Sequence, residues 1–238
     1  MKKRYLLLLL LSLFWFPFSI DAKEGITNFF IDATVQENGD IKVKEVVVLN
    51  GEFNGFERII DYRNSNAPIF NGSQESFEGS DIYNGSGIIV EAIGEIPLYP
   101  EYHFDILQKE PTLFTENEDA AVGYYDLYEN LNGVTIRSFM PSNGESRAFY
   151  FEYTLQNMAI VHQDVAEIGW NFFSNELSEY IEHLEIYIHI PGNQNGLYAW
   201  AHGPLNGNIE VVDQETIKIT VDDLNAYTAI DTRFVFNK

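Results

Sequence analysis

The sequence predicts an all-β protein, an antiparallel β-sandwich, and three observations support this class. Short runs rich in aromatic and β-branched residues recur along the chain, and Gly, Asn, Pro or Asp separates each run from the next. No alternation of strands with long helical patterns occurs, which argues against a parallel sheet with crossover helices. Hydrophobic residues occupy 45% of the 238 positions and aromatic residues 15%, enough for a large core.

The first predicted element is a β-hairpin with Asn38-Gly39 at its tip. The run FFIDATV, residues 29–35, places apolar side chains at every second position, and IKVKEVVVL, residues 41–49, does the same on its return. Asn-Gly between two alternating runs is a strong short-range hairpin signal, because both residues accept the positive φ of a tight turn.

Later runs repeat this pattern and predict further strands. They are GIIVEAI (87–93), YHFDIL (102–107), VTIRSF (134–139), AFYFEYTL (148–155), LEIYIHIP (184–191), TIKITV (216–221) and DTRFVF (231–236). One or two short helical turns are expected near 157–184, where Ser174 or Asn175 can act as an N-cap. Residues 64–130 are expected to hold an insertion or long loops, and 23–238 to form a single domain.

The N-terminus has the pattern of a secretory signal peptide, residues 1–22. Lys2, Lys3 and Arg4 precede a mostly apolar segment, and the small residue Ala22 marks the expected cleavage point. An uncleaved N-terminal anchor is the alternative. No later stretch approaches the roughly 20 apolar residues that a membrane-spanning helix needs. The chain is therefore expected to be exported and extracytoplasmic, membrane-associated or at the cell surface.

Charge and cysteine content exclude several classes of function. The formal net charge is −22, so the chain would repel nucleic acid and anionic lipid. The sequence has no cysteine, which excludes disulfides, zinc–thiolate sites and thiol nucleophiles. An exported chain of this kind has to be stabilised by its core.

Several motifs, taken in order, resemble a known family. These are NGDIKVKEVVVLNGEFNGFERII (38–60), YTLQNMAIVHQDVAEIGWNF (153–172), LEIYIHIP, AHGPLNG (201–207) and a closing strand with Arg233. The set resembles the N-terminal region of a bacterial family of predicted membrane proteins, domain of unknown function 2207. The resemblance implies an extracytoplasmic β-sandwich followed by transmembrane helices, with no established activity. Membrane attachment is expected only if the native chain continues past Lys238.

The residues that carry the resemblance are expected to be structural. They are Glu45, Arg58, Asn157, Asp164, Glu167, Trp170 and Arg233. In this interpretation Asn157 ends a strand, and Trp170 closes one end of the sandwich together with its apolar neighbours. Asp164 and Glu167 would accept hydrogen bonds from backbone amides or pair with Arg58 or Arg147.

Catalysis and metal binding have weaker support in the sequence. On a helical turn Asp164 and Glu167 would share a face, as the paired carboxylates of a glycoside hydrolase could, but close acidic pairs are expected by chance among 36 acidic residues. Five scattered histidines do not suggest zinc, and no metal site or cofactor is predicted. Calcium is left open, because the Asn- and Asp-rich loops offer oxygen ligands without a recognisable spacing.

Carbohydrate binding is the main alternative function. GLYAWAHG places Tyr198 and Trp200 on the same face of one strand, with His202 beside them, as in an aromatic platform for sugars. Packing of one or both rings in the core is the competing interpretation. The favoured function is a non-enzymatic domain of the cell envelope that acts through protein contacts, so envelope proteins or cell-wall glycans are the expected partners.

Overall fold

The computed structural model describes residues 24–64, 84–97, 99, 102–173, 175–192 and 196–237. The predicted signal peptide and most of the polar loop 64–87 lie outside these residues. In chain order the strands are β1 Gly25–Val35, β2 Ile41–Asn50, β3 Glu52–Phe53, β4 Phe56–Asp61, β5 Gly87–Ile96, β6 Thr112–Leu113, β7 Thr115–Glu116, β8 Tyr124–Glu129, β9 Gly133–Phe139, β10 Ser142–Asn143, β11 Arg147–Gln156, β12 Ile160–Val161, β13 Val165–Phe173, β14 Ile181–His189, β15 Tyr198–His202, β16 Asn208–Val211, β17 Thr216–Leu224 and β18 Ile230–Asn237. The structure is 62% strand and 3% helix, which confirms the all-β class.

An eight-stranded sheet forms one layer, with the order β16-β17-β14-β1-β2-β11-β5-β6. The predicted hairpin is at its centre, because β1 and β2 pair antiparallel from Val35 and Ile41 at the tip. On its other side β1 pairs parallel with β14, an exception to the predicted antiparallel arrangement. The strand predicted within 87–93 is β5, so this part of the expected insertion belongs to the large sheet.

Two four-stranded sheets form the second layer of the sandwich. Their orders are β12-β13-β18-β15 and β4-β9-β8-β7. One continuous core joins them to a single face of the large sheet, and its members come from the inward positions of alternating strands. Examples are Phe29, Val47, Phe151, Leu184 and Ile219 from the large sheet, and Ile60, Ile136, Trp170, Phe172 and Phe234 from the small sheets.

The opposite face of the large sheet is partly covered by a short 3-10 helix, Phe104–Gln108. This segment was predicted to be a strand, and that prediction is wrong. Ile106 and Leu107 are adjacent rather than alternate, and both pack on Phe30 and its apolar neighbours, which a strand could not achieve with adjacent residues. In the part of the chain that the structure describes, no helix is long and apolar enough to cross a membrane.

The helical turns expected near 157–184 are also absent from the described residues of that segment. Residues 160–173 form the hairpin β12–β13, and residues 175–180 are irregular up to the start of β14. The apolar side chains of β13 alternate with period two, which is a strand pattern, and its backbone pairs with β18 over most of its length. Ser174 lies outside the described residues.

Asn157 makes the turn between β11 and β12. Its backbone is in the left-handed region, with φ of 56°. Its N–H donates to Asp40 Oδ1 at 2.8 Å, and its side-chain amide donates to Ser86 Oγ at 2.5 Å. The turn therefore ties the end of β11 to the tip of the first hairpin and to the start of β5.

Replacing Asn157 with Ala should lower the free energy of unfolding by about 1–2 kcal/mol, because alanine disfavours this backbone conformation and loses the Ser86 contact. Asn157→Gly loses the same side chain but accepts positive φ, so it should cost less. Urea denaturation of both variants measures the difference. Equal losses would show that the backbone conformation is not what asparagine provides here.

Candidate functional site

A buried cluster of polar side chains lies at the centre of the sandwich. Glu45 on β2 and Tyr153 on β11 are 0% exposed, and Arg58 on β4 is 3% exposed. All three occupy inward positions of their strands, flanked by apolar residues two positions away. The strand periodicity that builds the core therefore places these three polar groups inside it.

The three side chains form a closed hydrogen-bonded network. Arg58 Nε donates to Glu45 Oε2 at 2.8 Å and Arg58 Nη2 donates to Glu45 Oε1 at 2.8 Å, which is the two-point geometry that suits guanidinium and carboxylate. The Tyr153 hydroxyl donates to Glu45 Oε1 at 2.7 Å. Glu45 thus accepts three hydrogen bonds without water access.

The remaining donors of Arg58 bind backbone carbonyls of the second layer. Nη1 donates to Ile59 O at 2.6 Å, and Nη2 also donates to Phe172 O at 3.0 Å on β13. The rings of Phe29 and Phe173 lie 5.5 and 5.2 Å from the guanidinium carbon, within cation–π range. The network consequently joins the large sheet to both four-stranded sheets.

The surroundings keep Arg58 charged and Tyr153 neutral. Burial alone would lower the pKa of Arg58, but the charge and hydrogen bonds of Glu45 raise it above the ordinary arginine value. Burial, and after it the neighbouring Glu45 carboxylate, raise the pKa of Tyr153 well above its usual value. Neither group is poised to exchange a proton near neutral pH. The expected pairing of Arg58 with Asp164 or Glu167 is wrong, because Glu45 is on the core face directly beneath it.

A second cluster lies on the outer face of the sheet β12-β13-β18-β15. Glu167 on β13 forms an ion pair with Arg233 on β18, and its other carboxylate oxygen is 2.9 Å from His162 Nε2. Gly169 is directly opposite Arg233 and has no side chain, which leaves room for the guanidinium to reach diagonally to Glu167. Glu167 is buried beneath these partners, whereas Asp164 is exposed in the turn before β13. The two carboxylates do not share the helical face that a paired acid and base would need.

Trp170 packs among apolar neighbours as predicted, whereas Arg147 has other partners than the predicted ones. Trp170 points into the core, where its ring is 4.3 Å from that of Phe172 and its Nε1 donates to Asp61 O at 2.8 Å. Arg147 pairs with Glu95 and Glu145 rather than with Asp164 or Glu167. Trp170 therefore links β13 to the end of β4.

Tyr198, Trp200 and His202 all point outward from β15, at the edge of this sheet. Tyr198 is 58% exposed and Trp200 is 48% exposed, so neither ring is packed in the core. Their rings are nearly parallel, at 18°, with centroids 6.2 Å apart. Arg233 is directly opposite Trp200 on β18, and Asp231 is opposite His202. We call these five residues the β15–β18 face.

Among the residues that the structure describes, no group of three or more His, Asp and Glu side chains converges to hold a metal ion. His162, two residues before Asp164, contacts Glu167. Two features of the buried network were not predicted from the sequence. One is the inward position of Glu45, and the other is the hydrogen bond from Tyr153 to Glu45. The signal was present, since both residues fall in register with core residues of their strands.

Arg58→Met should lower the free energy of unfolding by about 3–5 kcal/mol, because it leaves the Glu45 carboxylate buried without its counter-charge. Arg137→Met is the matched control: this arginine pairs with Glu57 at 2.7 Å, but both side chains are nearly half exposed, so the loss should stay below about 1 kcal/mol. Chemical denaturation measures both.

The triple variant Glu45→Leu, Arg58→Met, Tyr153→Phe removes every member of the buried network and should recover at least half of that loss. Equal stability of the Arg58→Met and Arg137→Met variants would contradict the anchoring role.

Tyr153→Phe should lower stability at pH 7 by about 1.5–3 kcal/mol, because it removes a hydrogen bond to a buried carboxylate. The unfolded chain ionises Tyr153 near pH 10, whereas the folded protein holds it protonated through its raised pKa. The contribution of Tyr153 is thus complete below about pH 10 and falls as the pH rises toward the folded pKa. The stability difference between wild type and variant should narrow above pH 10, as pH-dependent denaturation curves would show; a constant difference would contradict it.

Solved structures of related shape include a putative protease from Parabacteroides distasonis, with 7% identity, a TM-score of 0.46, and coverage of 88% of this chain and 39% of that one. Native leukotriene A4 hydrolase from Saccharomyces cerevisiae has 9% identity and a TM-score of 0.45, covering 94% and 33%. An M1 zinc metallopeptidase from Deinococcus radiodurans has 9% identity and a TM-score of 0.39, covering 90% and 43%. This chain spans less than half the length of each, and no activity transfers at such values.

The family of this chain is shown by comparison of its sequence with family models. No curated protein matches this chain. Residues 25–236 match the family described as predicted membrane protein (DUF2207), N-terminal domain. The match runs from the first residue of β1 almost to the end of β18 and so includes both layers of the sandwich. The chain belongs to the DUF2207 family of predicted membrane proteins and comprises its N-terminal domain.

Proposed function

We propose that this chain is a non-catalytic, extracytoplasmic recognition domain, the outer domain of a membrane protein of the cell envelope. The observation that carries the proposal is the closed network of Glu45, Arg58 and Tyr153. These three side chains are shielded from water, as catalytic groups often are. Their polar atoms, however, form hydrogen bonds with one another or with backbone carbonyls and so are not available to a substrate. Their role in this proposal is to hold the layers together.

The cluster around Glu167 supports the same conclusion. A glycoside hydrolase needs one carboxylic acid that can give up a proton and a second carboxylate facing it across the substrate. Glu167 is engaged by Arg233 and His162, and Asp164 points to solvent from a turn. A hydrolase that uses these two residues is therefore the weaker candidate, and the proposed function requires neither a metal nor another cofactor.

The extracytoplasmic part of the proposal rests on two independent features. Residues 1–22 have the charge and apolar pattern of a secretory signal peptide, and the family is described as one of predicted membrane proteins. The chain has no cysteine, so the oxidising conditions outside the cytoplasm place no demand on its folding. A sandwich that is stabilised by its buried core rather than by disulfides can fold outside the cytoplasm.

A fusion of alkaline phosphatase after Lys238, expressed in bacteria, should be active, because this reporter folds only outside the reducing cytoplasm. Deleting residues 5–18 should abolish the activity, and a β-galactosidase fusion at the same position should behave in the opposite way. The matched control is a deletion of the same length within 65–83, which leaves the predicted signal intact.

A phosphatase fusion that is inactive beside an active β-galactosidase fusion would overturn the extracytoplasmic assignment. Turnover of a polysaccharide by the purified domain, lost in Glu167→Gln but retained in Glu185→Gln, would overturn the non-catalytic one. Glu185 is the suitable control because it is also a strand carboxylate in an ion pair, with Lys218 at 2.7 Å.

A further inference from the structure

We propose that the β15–β18 face binds an uncharged oligosaccharide, with Tyr198 and Trp200 as the stacking platform. This inference rests on the proposed extracytoplasmic recognition function and names its ligand class. The site is formed by outward residues of two paired strands, and none of them belongs to the buried network that holds the layers together.

Two large aromatic side chains remain half in water on a strand that could have carried polar residues. Tyr198 and Trp200 are 58% and 48% exposed, on the same face of β15. Adjacent exposed aromatic rings form an apolar patch, which on soluble proteins commonly marks a binding surface. The rings are nearly parallel and their centroids are 6.2 Å apart, close to the distance between alternate residues of a strand. The two rings therefore form one joint aromatic surface that is exposed to solvent.

The platform is rigid before any ligand arrives. β15 pairs with β18 along all five of its residues, and β18 pairs with β13 on its other side. Ala199 and Ala201 alternate with the exposed residues and face the interior. Side chains presented from a paired strand lose little freedom on binding, which reduces the entropic cost of recognition.

The chemistry of the face suits a sugar chain. A pyranose ring has an apolar C–H surface that packs on the electron-rich face of an aromatic ring, and hydroxyl groups around its edge that both donate and accept hydrogen bonds. The Tyr198 hydroxyl and the His202 ring, whose side chain is 71% exposed, can form hydrogen bonds with those hydroxyl groups. A surface made of two large side chains favours a chain of linked sugars over a single sugar, because it can contact more than one unit.

Charge indicates that the ligand is uncharged. The guanidinium of Arg233 is already neutralised by the buried Glu167 carboxylate. The chain as a whole carries a net charge of −22, so an acidic polysaccharide would be repelled. A neutral glycan avoids this repulsion and can still form hydrogen bonds with Tyr198 and His202.

Trp200 provides a direct measurement. In the described residues the tryptophans are Trp170, which is buried, and Trp200, so quenching by uncharged acrylamide reports chiefly on Trp200. The mature domain is mixed with hexamers of β-1,4-linked glucose or of N-acetylglucosamine, both of which are uncharged. At least one of these two probes should protect Trp200 from quenching, and calorimetry then gives the affinity.

Trp200→Ala and Tyr198→Ala should each weaken that binding by about tenfold or more, since both rings are stacking anchors. Tyr128→Ala is the matched control, because Tyr128 is also an exposed strand tyrosine, 50% exposed, with Arg137 4.3 Å from its ring. It should bind as the wild type does. Unchanged near-ultraviolet spectra and unfolding temperatures of the variants would show that the fold is retained.

The proposal is overturned if neither hexamer protects Trp200 at millimolar concentration, or if Tyr128→Ala weakens binding as much as Trp200→Ala. It is also overturned if protection depends only on protein concentration, since the face would then bind a second copy of the chain. The reporter fusions address localisation separately, so an exported domain that binds no glycan would refute this inference and leave the proposed function standing.

Discussion

The bidentate pairing of Arg58 with Glu45 is the constraint on which the arrangement of layers depends. A carboxylate on the core face of β2 is tolerable only if a cation reaches it, and Arg58 also bonds to Phe172 O of the other small sheet. Close packing of the apolar side chains already favours one arrangement of the large sheet and the two four-stranded sheets. The directional bonds of Arg58 add to that preference, because they are made only in this register.

The distribution of polar groups distinguishes the interior of this protein from the β15–β18 face. The interior charges are matched by specific partners, whereas the β15–β18 face keeps aromatic surface in water on a strand that contributes only alanines to the interior. Such a division means that substitutions on the β15–β18 face need not disturb the packing beneath it. Glu45, Arg58, Asn157 and Trp170, on which the resemblance to the family was predicted to rest, all make contacts that hold the fold together.

Most strands could be predicted from the sequence because the alternation of apolar and polar side chains is a local property. The same alternation places Glu45, Arg58 and Tyr153 on the inward faces of their strands. Their mutual contact was not readable, since which strands face each other across two layers depends on topology that no local pattern encodes. The three-residue spacing of Asp164 and Glu167 is compatible with a helical turn, which is why helical turns were predicted within 160–173. The alternation of Ala166, Ile168, Trp170 and Phe172 was the stronger signal. The prediction for residues 102–107 was wrong for a different reason. The composition of this segment is typical of a strand, but its apolar residues pack from one side of a 3-10 turn.

The parallel pairing of β1 with β14 has a consequence for biosynthesis. β1 is the first strand to be made, yet its second neighbour ends at His189, after most of the chain has been synthesised. The large sheet cannot close around β1 until then, and contacts so distant in sequence form slowly. Until β14 has been made, β1 is hydrogen-bonded only along the edge that faces β2, and its other edge stays open to pairing with another chain.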